Sequence, residues 1–177
     1  MNSILKEIEG GLIVSCQALE DEPLHGSIIM SKMAIAAREG GAIGIRANGP
    51  SDIKAIKQVT NLPIIGLYKK RYPDSDIYIT PTIKEVEEVY EAGADIIAFD
   101  ATFQDRPDGQ MLDKFVSEIK SKFPSAILMG DISTLEEGIH AVNIGCDLIS
   151  TTLSGYTAYT KHITSFDKAL LSSLINR

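Results

Sequence analysis

The stretch Ile64-Ile65-Gly66-Leu67-Tyr68-Lys69-Lys70 predicts a buried parallel strand that ends at a lysine. Its apolar run begins after Pro63, has the length of a strand and stops at a cation, which is typical of a strand covered on both faces. In α/β enzymes the carboxyl ends of parallel strands carry the chemistry. Lys69 could therefore act as a Schiff-base nucleophile, a general base or a phosphate ligand, and Lys70 and Arg71 would lower its pKa. A solvated basic turn is the alternative interpretation.

Strands and helices alternate outward from this stretch along the whole chain. The predicted strands are Leu12–Cys16, Ile43–Ile45, the strand that ends at Lys69, Ile96–Phe99, Ile127–Met129 and Leu148–Ser150, and nearly all end on a polar group. Apolar residues at helical spacing predict helices between them, including Ile83–Glu91 and a last helix from Phe166 to Ile175. Ser51, and Ser133 or Thr134, are the expected N-caps of two of these helices.

An internal repeat indicates how the units are arranged. Gly41, Gly93 and Gly145 are 52 residues apart, and each lies between a predicted helix and the next strand. The intervening strands follow Pro63 and Pro124 instead, so each period holds two strand–helix units.

The repeat favours a barrel over a doubly wound sheet. The first strand is followed by no glycine-rich phosphate loop, and polar residues are shared among the strand ends. We therefore expect an α/β fold of the TIM type, a β/α barrel with parallel strands, in which residues 1–177 form a single domain with six of the usual eight strand–helix units.

Composition excludes several classes of protein. The 177 residues are 44% hydrophobic and 23% charged, with a net charge of −7, as in a globular protein rather than a disordered one. The longest basic run is Lys69-Lys70-Arg71, which argues against nucleic-acid binding. No apolar run approaches membrane-spanning length, so we expect no membrane association and a cytoplasmic location.

Cysteine and histidine usage gives no sign of a metal site or a disulfide. Cys16 and Cys146 lie in or beside apolar runs and are expected to be reduced core residues. His25, His140 and His162 are scattered without ligand spacing, so no metal is expected.

Seven strings, in order along the chain, resemble one known family. They are Ser15-Cys16-Gln17-Ala18-Leu19, Asp21-Glu22-Pro23-Leu24-His25, Gly44-Ile45-Arg46-Ala47-Asn48, Asp100-Ala101-Thr102, Arg106-Pro107-Asp108-Gly109, Asp131-Ile132-Ser133-Thr134 and Thr151-Thr152-Leu153-Ser154-Gly155-Tyr156-Thr157. Together they resemble the N-acetylmannosamine-6-phosphate 2-epimerases of bacterial sialic-acid catabolism. The resemblance implies a β/α barrel that interconverts N-acetylmannosamine 6-phosphate and N-acetylglucosamine 6-phosphate without a cofactor.

The resemblance also implies roles for individual residues. Lys69 matches the family's catalytic lysine, and Gln17, Arg46 and Asp131 match positions that bind the sugar and its N-acetyl group. Without the resemblance, Gln17 could be an ordinary loop amide, Asp131 a helix cap and Arg46 a surface ion-pair partner. Asp100 is expected to be a structural carboxylate rather than a catalyst.

The tyrosines of the loop after the sixth strand have an open role. Tyr156 and Tyr159 could pack on the sugar, close a lid or contact another subunit.

The resemblance stops short of the family's seventh and eighth units. In the family these supply the catalytic acid and the phosphate site, which would lie beyond Arg177. The first and sixth strands would each lose a neighbour, so we expect a homo-oligomer, a dimer, that binds a small amino-sugar phosphate. The alternatives are an inactive remnant that binds only sugar or a partner, and another phosphosugar barrel enzyme such as a pentulose-phosphate epimerase or an aldolase.

Overall fold

The structure, a computed structural model, describes residues 3–176. Within that range strands and helices alternate along the chain, as the sequence predicts. The elements are α1 Ser3–Glu7, β1 Ile13–Cys16, α2 Ser27–Glu39, β2 Gly44–Asn48, α3 Pro50–Lys57, β3 Ile64–Leu67, α4 Ile83–Glu91, β4 Ile96–Asp100, α5 Leu112–Lys122, β5 Ile127–Asp131, α6 Leu135–Ile144, β6 Leu148–Ser150 and α7 Lys168–Ile175.

The chain divides into two compact units, and the first comprises residues up to Lys69 together with Lys84–Ile97. It contains β1, β2, β3 and the beginning of β4, which pair in parallel and in the order of the chain. The register places Ser15 beside Arg46, Arg46 beside Ile65, and Ile65 beside Ile96. Partners in this register lie on the same face of the sheet, which fixes the face on which each strand-end side chain projects.

Gly66 allows the helices of the first unit to approach β3 closely. A Cβ at this position would lie 2.5 Å from the Ala94 Cβ and 2.9 Å from side-chain atoms of Ile53 and Val89. Ile53 belongs to α3 and Val89 to α4, and both are fully buried. The face of β3 that carries Gly66 is therefore the helix side, and Ile65 and Leu67 project from the opposite face.

The second unit comprises Lys70–Ile83 and the residues from Ala98 onward. It contains the end of β4 together with β5 and β6, and its β5–β6 register places Met129 beside Leu148 and Asp131 beside Ser150. Phe99 packs edge-on against Phe115 of α5, with ring centroids 5.4 Å apart, and both rings are fully buried. The helix side of β4 therefore carries Phe99.

The repeat in the sequence corresponds to a repeated backbone conformation. Gly41, Gly93 and Gly145 all have positive φ angles, of 92°, 93° and 106°. The left-handed region is costly for residues with a Cβ, so glycine is needed wherever the chain turns from helix to strand in this way. The prediction of a shared helix-stop device at these positions is confirmed.

Helix starts were predicted less well than strand positions. Thr134 is the N-cap of α6 and forms a capping box with Glu137, as one of the two predicted alternatives. Ser51 is not an N-cap, because α3 already begins at Pro50. Proline suits the first helical position, where no amide donor is needed. The helix therefore begins at Pro50, and Ser51 lies inside it. The last helix begins at Lys168 rather than at Phe166.

Each unit contains one buried cysteine. Cys16 at the end of β1 is fully buried and Cys146 is 8% exposed, and neither is in a disulfide. Burial raises the pKa of the Cys16 thiol and raises that of Cys146 to about 12. Among the described residues, no helix combines the length and apolar character needed to cross a membrane.

Candidate functional site

Three of the predicted site residues lie at the carboxyl ends of strands in the first unit. Arg46 is on β2, Gln17 follows β1 directly, and Lys69 comes two residues after the end of β3. The register and the alternation of side chains give all three the same face, opposite Gly66 and the helices. Gln17 is held there by its Nε2, which donates to Ser15 Oγ at 2.9 Å.

The main chain at Lys69 is fixed by a side chain that the sequence analysis did not single out. Asn48 at the end of β2 accepts a hydrogen bond from the Lys69 backbone N–H through its Oδ1 at 2.8 Å. The Gly49 N–H donates to the Leu67 carbonyl at 2.7 Å just below it. The half-buried Lys69 therefore leaves a firmly anchored strand end. The only available signal was that Asn48 is another polar residue at a strand end.

Asp131, the fourth predicted site residue, belongs to the second unit. It is the last residue of β5 and is fully buried. Its carbonyl accepts from the Ala101 N–H at 2.8 Å, which anchors the backbone at this strand end. The interpretation of Asp131 as a helix cap is wrong, because Thr134 fills that position for α6.

Asp100 ends β4 in the same unit and is also fully buried. Its Oδ1 accepts hydrogen bonds from the Thr102 N–H at 2.9 Å and from the Thr102 hydroxyl at 2.6 Å. Its Oδ2 has no hydrogen-bond partner. The pKa of Asp100 is raised to about 6, mainly by burial and to a smaller extent by the Asp131 carboxylate, against the opposing Thr102 hydrogen bonds and Arg106 charge.

Arg106 is a buried cation that braces this strand end. Its Nη1 donates to the Pro81 carbonyl at 2.9 Å and its Nη2 donates to the Asp100 carbonyl. The guanidinium lies 3.7 Å from the centroid of the Phe115 ring, in cation–π contact. Burial lowers the pKa of Arg106 to about 10, so it stays charged at neutral pH.

A cleft of about 230 Å³ opens within the second unit. It is lined by Arg71, Asp76, Tyr78, Gln104, Leu153, Tyr156, Ala158 and Lys161. Tyr78 is half-buried, and burial raises the pKa of its phenol, as do the charges of Asp100 and Asp131. The Arg71 guanidinium lies 5.4 Å from the Tyr78 ring centroid. Tyr78 therefore lines the cleft and is influenced by the charges of both carboxylates, a role that the sequence analysis did not predict.

The two tyrosines of the loop after β6 differ in their surroundings. Tyr159 donates its hydroxyl to Oε1 of the fully buried Glu137. The other oxygen of Glu137 accepts from the Ser133 N–H at 2.8 Å and the Thr134 N–H at 3.0 Å. Tyr156 is 73% exposed and lines the cleft. Tyr159 therefore fastens the loop to α6, whereas the ring of Tyr156 stays accessible.

Metal-binding chemistry is not indicated by the side chains that the structure describes. Between residues 3 and 176, no three or more His, Cys, Asp or Glu side chains are grouped so that they could hold a metal ion. What the two sets of strand ends offer is a lysine, a guanidinium, an amide and carboxylates, which suit proton transfer and the recognition of hydroxyl and amide groups.

Comparison with known proteins identifies the family. Residues 30–177 match the family model described as "Putative N-acetylmannosamine-6-phosphate epimerase". Relatives described as 2-epimerases of the same kind occur in Borrelia garinii subsp. bavariensis, at 57% identity over 98% of this chain and 75% of the relative, and in Listeria monocytogenes serotype 4a, at 51% identity over 98% and 74%.

A solved structure extends the match to three dimensions. The N-acetylmannosamine-6-phosphate 2-epimerase from Clostridium perfringens superimposes with a TM-score of 0.94 at 53% identity, covering 99% of this chain and 76% of that one. The predicted fold class is confirmed, since the parallel strand–helix units of this chain are those of a TIM-type barrel. The chain belongs to the N-acetylmannosamine-6-phosphate 2-epimerase family.

Proposed function

We propose that this protein interconverts N-acetylmannosamine 6-phosphate and N-acetylglucosamine 6-phosphate by removing and returning the proton at carbon 2. The observation that carries the proposal is the match to the Clostridium perfringens epimerase, at 53% identity and a TM-score of 0.94. The substrate class is accordingly a small sugar phosphate.

Lys69 is the proposed base. Carbon 2 is acidic only when the sugar is open, because the neighbouring aldehyde then delocalises the negative charge. A lysine can take this proton near neutral pH if its pKa falls from about 10.4 to about 7–8, which corresponds to about 4 kcal/mol. The half-burial of Lys69 and the adjacent Lys70 both act in that direction.

Gln17, Arg46 and Asp131 are the proposed sugar-binding residues. The amide and the guanidinium lie on the Lys69 face of the first unit, where they can donate hydrogen bonds to the acetamide oxygen. The buried Asp131 carboxylate can accept a hydrogen bond from the acetamide N–H or from a hydroxyl.

Exchange at carbon 2 tests the proposal directly. The purified protein is incubated in D₂O with each sugar phosphate in turn, and proton NMR follows both epimer formation and loss of the carbon 2 proton signal. Deuterium at carbon 2 is expected from both directions with Lys69 as the base, and formation of the second epimer additionally requires a group that returns the proton to the opposite face. Retention of the carbon 2 proton in both sugars would refute the mechanism, and trapping of Lys69 by borohydride would favour an aldolase instead.

We further propose that the protein forms a homodimer. Leu12 and Ile28 of the first unit are 62% and 72% exposed, so apolar surface is available for burial against a second copy. Light scattering on the purified protein gives its mass in solution, and a monomer at micromolar concentration would refute this part of the proposal.

A further inference from the structure

One carboxylate oxygen at the end of β4 is buried and left without a hydrogen bond. Asp100 is fully buried, yet its Oδ2 has no hydrogen-bond partner. Buried polar atoms are nearly always paired, so an exception at a strand end that forms part of an active-site face calls for an explanation.

The surrounding residues hold Asp100 in place without neutralising this oxygen. Both donors of Thr102, the N–H and the hydroxyl, bind Oδ1. Arg106, the nearby cation, donates to the main-chain carbonyls of Asp100 and Pro81 instead of to the carboxylate. One oxygen is therefore fixed by Thr102, and the other is buried and left unpaired.

The direction of Asp100 follows from its neighbours along the strands. Phe99 packs on Phe115 of α5, so the next residue, Asp100, projects from the face opposite the helices. On β5 a Cβ at Gly130 would lie 3.3 Å from the Ala141 Cβ of α6, so Asp131 projects from that same opposite face. The charges of both carboxylates act on Tyr78, which lines the cleft. The unpaired oxygen therefore belongs to the face that carries the proposed sugar-binding carboxylate.

We propose that Oδ2 of Asp100 accepts a hydrogen bond from a hydroxyl group of the bound sugar phosphate, which makes Asp100 a specificity-determining residue. The inference rests on the proposed function, since it assumes a polyhydroxylated substrate at these strand ends. A sugar hydroxyl can donate the hydrogen bond that Oδ2 does not receive from the protein. It also completes the hydrogen bonding of a group that is otherwise expensive to bury.

The binding test compares wild-type protein with Asp100→Asn, in which the acceptor oxygen becomes an NH₂ donor. Dissociation constants are measured by calorimetry for N-acetylglucosamine 6-phosphate and for its 3-deoxy and 4-deoxy analogues. Loss of a charged hydrogen bond should weaken binding of the parent sugar by about 10- to 100-fold. The analogue that lacks the contacted hydroxyl should bind both proteins equally well.

The matched control is Asp147→Asn. Asp147 Oδ2 accepts from the Leu128 N–H at 2.9 Å at the amino end of β6, so it is a structural carboxylate at the opposite ends of the strands. This substitution should leave all three affinities unchanged. An Asp100→Asn penalty of the same size for every sugar would overturn the proposal, because it would show that Asp100 acts only through the structure.

A second measurement uses the wild-type protein alone, so it does not depend on whether a variant folds. The ¹³Cγ signal of Asp100 reports its titration in wild-type protein, and a hydrogen bond from the sugar should lower the apparent pKa when ligand is added. An unchanged titration with saturating sugar would overturn the proposal. Binding is measured apart from turnover, so protein that binds sugar but does not exchange the carbon 2 proton would refute the proposed reaction and still decide the role of Asp100. Protein that binds none of the sugars would overturn both.

Discussion

Lys69 and Lys70 are adjacent lysines, and only Lys69 lies on the face that carries Gln17 and Arg46. Lys69→Met keeps the aliphatic stem and removes the amine, so we expect the fold to be retained and carbon 2 exchange to fall by at least about 100-fold, the usual scale for an acid–base group. Lys70→Met removes the same charge one residue away and is the matched control, with a much smaller loss expected because Lys70 acts only through the pKa of Lys69.

The comparison between the two lysines is measured by deuterium incorporation in single-turnover experiments. Exchange in Lys69→Met above about a hundredth of the wild-type rate would mean that another group takes the proton. Equal losses in both variants would indicate that the positive charge matters, rather than the position of the amine.

The buried Asp100 carboxyl makes stability depend on pH in an unusual direction. Its pKa in the folded protein is about 6, above its ordinary value of 3.8, so the folded state binds the proton more tightly than the unfolded state does. Its contribution to stability is therefore fully present below about pH 4 and is lost as the pH rises through about 6. Asp100→Asn cannot titrate and should lack this loss.

Urea unfolding of both proteins between pH 4 and pH 7 measures the effect. The unfolding free energy of Asp100→Asn minus that of wild type should rise across this range by up to about 3 kcal/mol, because each pKa unit is worth about 1.4 kcal/mol. A difference that does not change with pH would mean that Asp100 is ordinarily solvated in the folded protein.

The residues that were predicted and those that were missed differ in what determines their role. Lys69 and Asp131 could be located because each lies at the end of an apolar strand or within two residues of it, which is a local pattern in the sequence. Asn48 and Arg106 could not be, because each bonds the main chain of a segment more than 20 residues away, Lys69 in one case and Pro81 in the other. No local pattern encodes such a pairing.

At the scale of elements, the start of α6 has two layers of hydrogen bonding. Within residues 3–176, the Thr134 hydroxyl accepts a single hydrogen bond, from the Glu137 N–H at 3.3 Å. Glu137 in turn accepts from Ser133, Thr134, Tyr159 and, at 3.2 Å, the Phe103 N–H. The Glu137 carboxylate therefore joins the helix start to two loops, whereas Thr134 serves the helix alone.

We predict that Thr134→Ala and Glu137→Ala differ clearly in cost. Removal of the cap should lower the unfolding free energy by about 1 kcal/mol, as for other N-caps. Removal of the buried carboxylate should cost at least about 3 kcal/mol, because several buried donors then lose their acceptor at about 1–3 kcal/mol each. Urea unfolding compares the two variants, and equal costs would show that the Glu137 donors find other partners.

Element order was predictable because apolar spacing is a local property, whereas element starts depended on competition between neighbours. Ser51 is a favourable N-cap residue, but Pro50 directly before it suits the first helical position, so α3 begins at Pro50 after Gly49. The division into two units, with β4 shared between them, has no counterpart in the spacing of residues.

At the scale of the whole molecule, the 52-residue repeat makes a prediction about backbone strain. Gly41 has a φ of 92° and open space where a Cβ would be, so Gly41→Ala isolates the cost of the left-handed conformation, about 1–2 kcal/mol. The neighbouring Gly40 has a φ of −76°, so Gly40→Ala is the matched control: it needs no left-handed backbone, although its Cβ would lie 3.3 Å from the Ala36 carbonyl oxygen. Gly93→Ala should repeat the Gly41 result, since its φ is 93°.

Thermal or urea unfolding of the three alanine variants checks the repeat. Similar losses of stability at Gly41 and Gly93, with a smaller loss at Gly40, are expected if the same device ends α2 and α4. If Gly40→Ala lowered the unfolding free energy as much as Gly41→Ala, the loss would not depend on the sign of φ. That result would contradict a left-handed glycine as the device that ends these helices.

Each unit contains one buried cysteine whose rate of chemical labelling can report how often that unit opens. A thiol reagent attacks only an exposed thiolate. Cys16 in the first unit and Cys146 in the second are buried, and burial also raises the pKa of both thiols, so neither is exposed or deprotonated in the folded protein. Labelling of either sulfur under native conditions must then wait for its own surroundings to open. Peptide mapping of the labelled protein over time would give two separate rates without any engineered probe. Equal labelling rates would indicate that the two units open together, and unequal rates would show which unit opens more often.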